Sequence, residues 1–183
     1  MRKLNIHLVI KDKALRFCQE VNRGIQGITN SEIVFDQDSP MIPHLSLIRG
    51  ELDGDASLED VKELIPDAIA TFSSLSLYLH SPYLESDRNS YVLSDVEGGK
   101  ALKDLIHQLY DSLCPNLIHP QSQGNDNPHI TLAYINANPE AVRQYLSEVK
   151  AEFEFESDAI EISDSGERGT CINSLAQFDL SSQ

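Results

Sequence analysis

Pro43-His44-Leu45-Ser46-Leu47-Ile48 and Pro128-His129-Ile130-Thr131-Leu132-Ala133 are one phrase written twice. Each reads proline, histidine, apolar residue, hydroxyl residue, leucine. The histidines stand 85 positions apart (129 − 44), just under half of the 183-residue chain. Each phrase follows a polar loop, so the spacing points to a functional element repeated in two halves of one fold. On a strand, residues i and i+2 face the same way, roughly 6.6 Å apart. His44 and Ser46 then share one face while Leu45 and Leu47 turn into a core. His129 and Thr131 share a face over Ile130 and Leu132. Proline suits the first residue of a strand, where no ladder bond is lost.

Outward from these two strands the chain alternates short strands and helices. Leu4, Ile6, Leu8 and Ile10 alternate with Asn5, His7 and Val9, the pattern of a half-buried strand. Asp12 is positioned to cap a helix to about Gly24. Ser31 to Phe35 reads as a short strand, and Pro43 to Leu52 as another. Ser57 opens a helix with Glu59 and Asp60 in its first turn, ending near Pro66 or just past it. Ser74 to His80 alternates strictly, with Asn89 to Asp95 as its hairpin partner. Gly98-Gly99 opens a helix to about Leu113, and residues 115–127 read as a polar loop. Pro128 to Ile135 is a strand, and Asn138-Pro139-Glu140 starts a helix with proline at the favoured first position. Glu152 to Glu156, Ala159 to Ser163 and Cys171 to Leu180 read as strands, with a hairpin turn over Gly166 to Gly169. Mixed elements with several hairpins predict an α+β fold with mainly antiparallel sheet. No flexible linker divides the chain, so residues 1–183 are expected to form a single domain.

The charge balance narrows the function. Fourteen Lys and Arg stand against 29 Asp and Glu, a net charge of −15. Long nucleic acid is bound chiefly by a basic surface that neutralises phosphates, so such a partner is not expected. A small anionic substrate remains open, because a cleft can be locally positive on an acidic protein. The three cysteines, Cys18, Cys114 and Cys171, are odd in number and lack metal-ligand spacing, which fits a reducing compartment. No apolar run approaches the roughly 18 residues of a membrane span. Met1 to Ile10 is too short in its apolar part for a secretory signal, so a cytoplasmic location is expected.

Two imidazoles and two hydroxyls lining one cleft suit phosphodiester cleavage. One neutral histidine takes a proton from water or a ribose hydroxyl, and the other, protonated, gives one to the leaving oxygen. The hydroxyls of Ser46 and Thr131 donate to non-bridging phosphate oxygens. The near symmetry of the motifs leaves open which histidine is the base. The competing reading is a pair of hydrogen-bonded structural histidines at strand ends. His7 and His80 lie on polar faces of their strands and are weighed the same way. Arg49, Arg88 and Arg168 can each balance substrate charge, and position alone does not choose among them. No Gly-rich nucleotide loop is present, so an ATP-dependent ligase is unsupported.

With both motifs in view, the chain resembles the 2H (two-histidine) phosphoesterases, which include RNA 2′,3′-cyclic phosphodiesterases and 2′–5′ RNA ligase-like proteins. The resemblance rests on His44-Leu45-Ser46-Leu47 and His129-Ile130-Thr131-Leu132. It implies a bilobal fold, with two mainly antiparallel β-sheets facing a central cleft, helices outside and one motif per lobe. It implies His44 and His129 as the acid/base pair and Ser46 and Thr131 as phosphate-binding residues, with no cofactor and no metal. His7, Tyr134 and Arg49 are candidate substrate contacts. Many members carry arginine five residues after the second histidine, where this chain has Tyr134. The expected activity is metal-independent hydrolysis of 2′,3′-cyclic or related cyclic phosphates. The expected partner is a small nucleotide or RNA end, with the protein a monomer. Cleavage or joining of 2′–5′ RNA linkages and non-catalytic binding of nucleotides or RNA ends are the alternatives.

Overall fold

The computed structural model describes residues 2–87, 90–122 and 127–180. β1 (Lys3–Val9) leads to α1 (Asp12–Gln26), and β2 (His44–Leu52) to α2 (Leu58–Ile69). β3 (Leu75–Leu79), β4 (Tyr83–Leu84) and β5 (Tyr91–Glu97) precede α3 (Gly99–Leu113). After a 3₁₀ turn come β6 (Leu117–Ser122), β7 (His129–Tyr134) and α4 (Pro139–Glu148). β8 (Phe153–Ser157), β9 (Ala159–Ser165) and β10 (Cys171–Asp179) complete the described chain. Strand pairings among the described residues are antiparallel throughout, as expected of the α+β class.

The strands follow the order β10-β9-β1-β2-β7-β5-β3-β8, with β6 added on β2 and β4 on β5. β1 is held along its length by β2 on one side and β9 on the other. β5 is held by β7, β4 and β3. Between these two groups, β2 and β7 are paired only at Leu45 and Ile130. The two expected sheets are thus joined side by side at one point.

Helix formation follows the apolar spacing. In α3, Leu102, Leu105, Ile106, Leu109 and Leu113 are buried on one stripe. α3 packs on α2 and β2, while α1 packs on β7. Ser57 and Asp60 form a reciprocal cap on α2. The Ser57 hydroxyl accepts from the Asp60 N–H at 3.2 Å, and the Asp60 carboxylate accepts from the Ser57 N–H at 2.7 Å. α2 runs three residues past Pro66, because Ala68 and Ile69 bury the last turn beside Val61 and Ile65.

Three local expectations change. Asp12 does not cap α1: it is the first helical residue, at φ 50°, and Lys11 occupies the cap position. Ser31 to Phe35 is not a strand beyond the Ser31–Ile135 bridge. The buried Asn22 amide serves this backbone instead, donating to the Ile33 and Leu132 carbonyls and accepting from the Phe35 N–H. Of the expected polar loop 115–127, residues 117–122 pair with β2 as an edge strand, a position that tolerates Pro120. Gly50 permits this approach, since a Cβ there would sit 3.1 Å from Leu117 Cβ. Residues 123–126, Arg88, and Asn89 at the start of the expected hairpin partner lie outside the described residues.

Candidate active site

The site follows from the pairing of Leu45 with Ile130. Continuing that antiparallel register one residue each way sets His44 opposite Thr131 and Ser46 opposite His129. Side chains alternate across a sheet, so these four share one face and Leu45 and Ile130 take the other. The latter two are fully buried in the core. His44 and Ser46 are recessed, at 8% and 6% exposure, whereas His129 and Thr131 are half-buried. His44 and Thr131 line one small cavity of about 10 Å³ together with Arg168 and Gly169.

The two histidines are held alike. His44 Nδ1 lies 2.9 Å from the Ile42 carbonyl, and His129 Nδ1 lies 3.0 Å from the Asn127 carbonyl. In each case the acceptor is two residues upstream, on the far side of the motif's proline. A carbonyl only accepts, so each Nδ1 carries the proton and each Nε2 is the lone-pair nitrogen of the neutral ring.

Behind the first motif lies a contribution from β1. Asn5 Nδ2 donates to Ser46 Oγ at 2.9 Å and lies 3.4 Å from His44 Nε2. Asn5 is fully buried. Its place on the His7 face of β1 follows from strand alternation, but its contact with Ser46 depends on the pairing of β1 with β2.

His7, a candidate substrate contact by sequence, is instead 0% exposed. β1 is an interior strand, and His7 packs edge-on to His44 with ring centroids 5.2 Å apart. Its Nδ1 lies 3.4 Å from both the Asn5 carbonyl and Cys171 Sγ, and its Nε2 lies 3.6 Å from the buried Glu161 carboxylate. Burial pushes the Cys171 thiol up to about 12.

Burial likewise pulls the His44 imidazole down to about 3, helped by neighbouring His7 and, more weakly, Arg49. Backbone hydrogen bonds at Ile42 and Gly169 oppose this. His44 is therefore neutral at pH 7.

The remaining candidates lie around these four residues or away from them. Arg49 is half-buried and lines a separate cavity of about 260 Å³ with Lys3, His119 and Gln121. Gly169 borders both this cavity and the smaller one beside His44. Tyr134, at the end of β7, meets Tyr91 edge-on at 4.8 Å and lies beneath the Arg168 guanidinium. His80 is taken up by Glu97 at 2.9 Å and Glu152 at 3.7 Å. The cation sequence reasoning could not single out is Arg168, which reaches the His44–Thr131 cavity from the turn before β10.

Two like-held imidazoles with hydroxyl neighbours on adjoining antiparallel strands place this fold among the 2H phosphoesterases. The chain belongs to the 2′-5′ RNA ligase superfamily, whose family pattern matches residues 20–168. Solved structures are similar over nearly the whole chain. TT0787 of Thermus thermophilus superposes with a TM-score of 0.69 at 13% identity over 97% of each chain. E. coli LigT complexed with 3′-AMP superposes at 0.60 with 18% identity over 99% of each chain. Usb1 of Kluyveromyces marxianus superposes at 0.53 with 13% identity, over 95% of this chain and 97% of that one. At these identities the likeness is one of fold. No curated protein sequence matches the chain. Among the described residues, no helix is long and apolar enough to cross a membrane.

Proposed function

We propose that this protein hydrolyses 2′,3′-cyclic phosphates of nucleotides or short RNA ends without a metal. The observation that carries the reading is the Leu45–Ile130 register, which puts both imidazoles and both hydroxyls on one face. His44 is assigned the base's role: its ring is neutral in the free protein, and the negative charge of a bound phosphate raises its affinity for protons from that depressed value. It takes a proton from a water as that water attacks phosphorus. The bond from phosphorus to the 2′ or 3′ oxygen breaks, and His129, protonated, gives that oxygen its proton. The product is a nucleoside monophosphate. Ser46 and Thr131 donate to the non-bridging oxygens as charge builds on them. E. coli LigT, alike in fold, is known with phosphate and with 3′-AMP, ligands of the same chemistry. The net charge of −15 favours a small substrate over long RNA.

The deciding experiment is turnover of the four 2′,3′-cyclic nucleotides in excess EDTA, beside the His44→Ala/His129→Ala double variant. Turnover by the wild type alone is expected, and the 2′ or 3′ product identifies the bond cleaved. No turnover by the folded wild type overturns the reading and directs attention to 2′–5′-linked RNA.

A further inference from the structure

The site must bind an anion on a chain of net charge −15, yet neither motif carries a permanent cation, lysine or arginine. Arg168 supplies one from outside both motifs. It lines the same small cavity as His44 and Thr131. Its guanidinium carbon lies 4.1 Å from the centre of the Tyr134 ring. Its Nε donates to the Glu32 carboxylate at 2.8 Å. No described residue accepts a hydrogen bond from its Nη atoms. A guanidinium fixed at one edge and stacked on one face presents its remaining donors in a set direction, the arrangement suited to two oxygens of one phosphate.

The backbone is built to hold it there. Arg168 sits at φ 58° and Gly169 at φ 75°, both left-handed, in a turn closed by Gly166 N–H on the Thr170 carbonyl at 2.8 Å. A non-glycine residue in this region is strained, and such strain persists where the surrounding structure fixes it. Gly169, at φ 75°, holds a backbone conformation that a side chain would strain, and Arg49 Nη1 lies 2.5 Å from where its Cβ would be. Arg49, the other nearby cation, packs against this turn and lines the neighbouring cavity of about 260 Å³. Glu32 is drawn below the usual carboxylate range by Arg168 and then Asn136, so the anchor stays ionised at neutral pH.

We infer that Arg168, held over Tyr134 and by Glu32, binds the non-bridging oxygens of the substrate's phosphate. This rests on the cleft being a phosphodiester site, as proposed above. It adds a binding residue that follows neither motif, and it assigns Tyr134 the task of presenting a cation rather than touching substrate.

The test is calorimetric binding of 3′-AMP, 2′-AMP and inorganic phosphate to wild type, Arg168→Ala and Arg168→Lys, with cyclic-nucleotide turnover measured on the same samples. Arg168→Ala should weaken binding of these anions about 10- to 100-fold. Arg168→Lys should fall between, since it keeps charge without the planar fork. Added guanidinium should restore part of the alanine variant's affinity, which a purely structural role would not allow. The melting temperature should barely move, because the Glu32 pair is substantially exposed. If the wild type binds and turns over and Arg168→Ala matches it, the assignment to Arg168 is wrong and the phosphodiesterase reading stands. If the folded wild type neither binds nor turns over, both fall together.

Discussion

Leu45 faces Ile130 across β2 and β7, and these two residues make the one pairing between the strands. Each is flanked by a histidine one position before it. The core contact between the halves and the spacing between the two histidines are therefore one geometry. Truncating either side chain removes fully buried volume, at a cost of about 2–5 kcal/mol. Leu79 is equally buried but sits on β3, which pairs with β5 and β8 rather than with β2 or β7. Leu45→Ala should lower turnover per folded molecule, and Leu79→Ala of similar stability loss should not. Equal activity in the two variants would separate the joint from the site.

The two imidazoles should act as a unit. His44→Ala and His129→Ala are each expected to lower kcat by about 10²–10⁴ with the circular dichroism spectrum unchanged. The double variant should be little worse than the worse single one. Additive losses would mean that the two residues serve separate steps.

Stability should depend on pH through His44. An unfolded histidine takes up a proton near pH 6.5, and the buried ring resists it down to about 3. Between these values the unfolded chain binds more protons, so stability falls as pH falls below about 6.5. The carboxyls of Asp164 and Asp158, held low by Arg2 and Lys11, add to the loss only below about pH 4. Urea unfolding at pH 7.5, 6 and 5 should show the decline, and His44→Gln should flatten it. A decline of the same size in the variant would assign it to other groups.

Asn5 should act through Ser46. Its amide donates to Ser46 Oγ at 2.9 Å, which aims the hydroxyl's own proton away from Asn5 and toward other acceptors. Ser46→Ala is expected to cost up to about 10²–10³ in kcat. Asn5→Ala should cost less, and its effect should largely vanish in the Ser46→Ala background. Independent effects in that double-mutant cycle would show that Asn5 works through His44 or through packing.

How much of this was legible in the sequence depends on range. The faces of the two motifs follow from a period of two, and α3 from its buried leucine stripe, because both are local regularities. The joining of the motifs was not legible, since the pairing of Leu45 with Ile130 spans 85 positions and no local pattern encodes it. His7 was misplaced for a related reason. Alternation put it on a polar face, but only the folded chain shows it covered there by His44, Cys171 and Glu161. The strand over 117–122 was hidden because proline and histidine read as loop, while its pairing depends on the missing side chain of Gly50. Arg168 reaches the site from a turn 39 positions beyond His129 (168 − 129), anchored to Glu32 far up the chain.

The carbonyl that orients each ring lies two residues before it, in the segment that leads into that ring's strand. Tautomer choice is therefore a property of each tripeptide, not of the assembled cleft. Widening or narrowing the gap between the halves changes how far the two Nε2 atoms stand apart, yet leaves each ring with its lone pair on the same nitrogen. Sequence drift elsewhere in the chain can thus alter the span between the two rings while the proton stays on the same nitrogen of each.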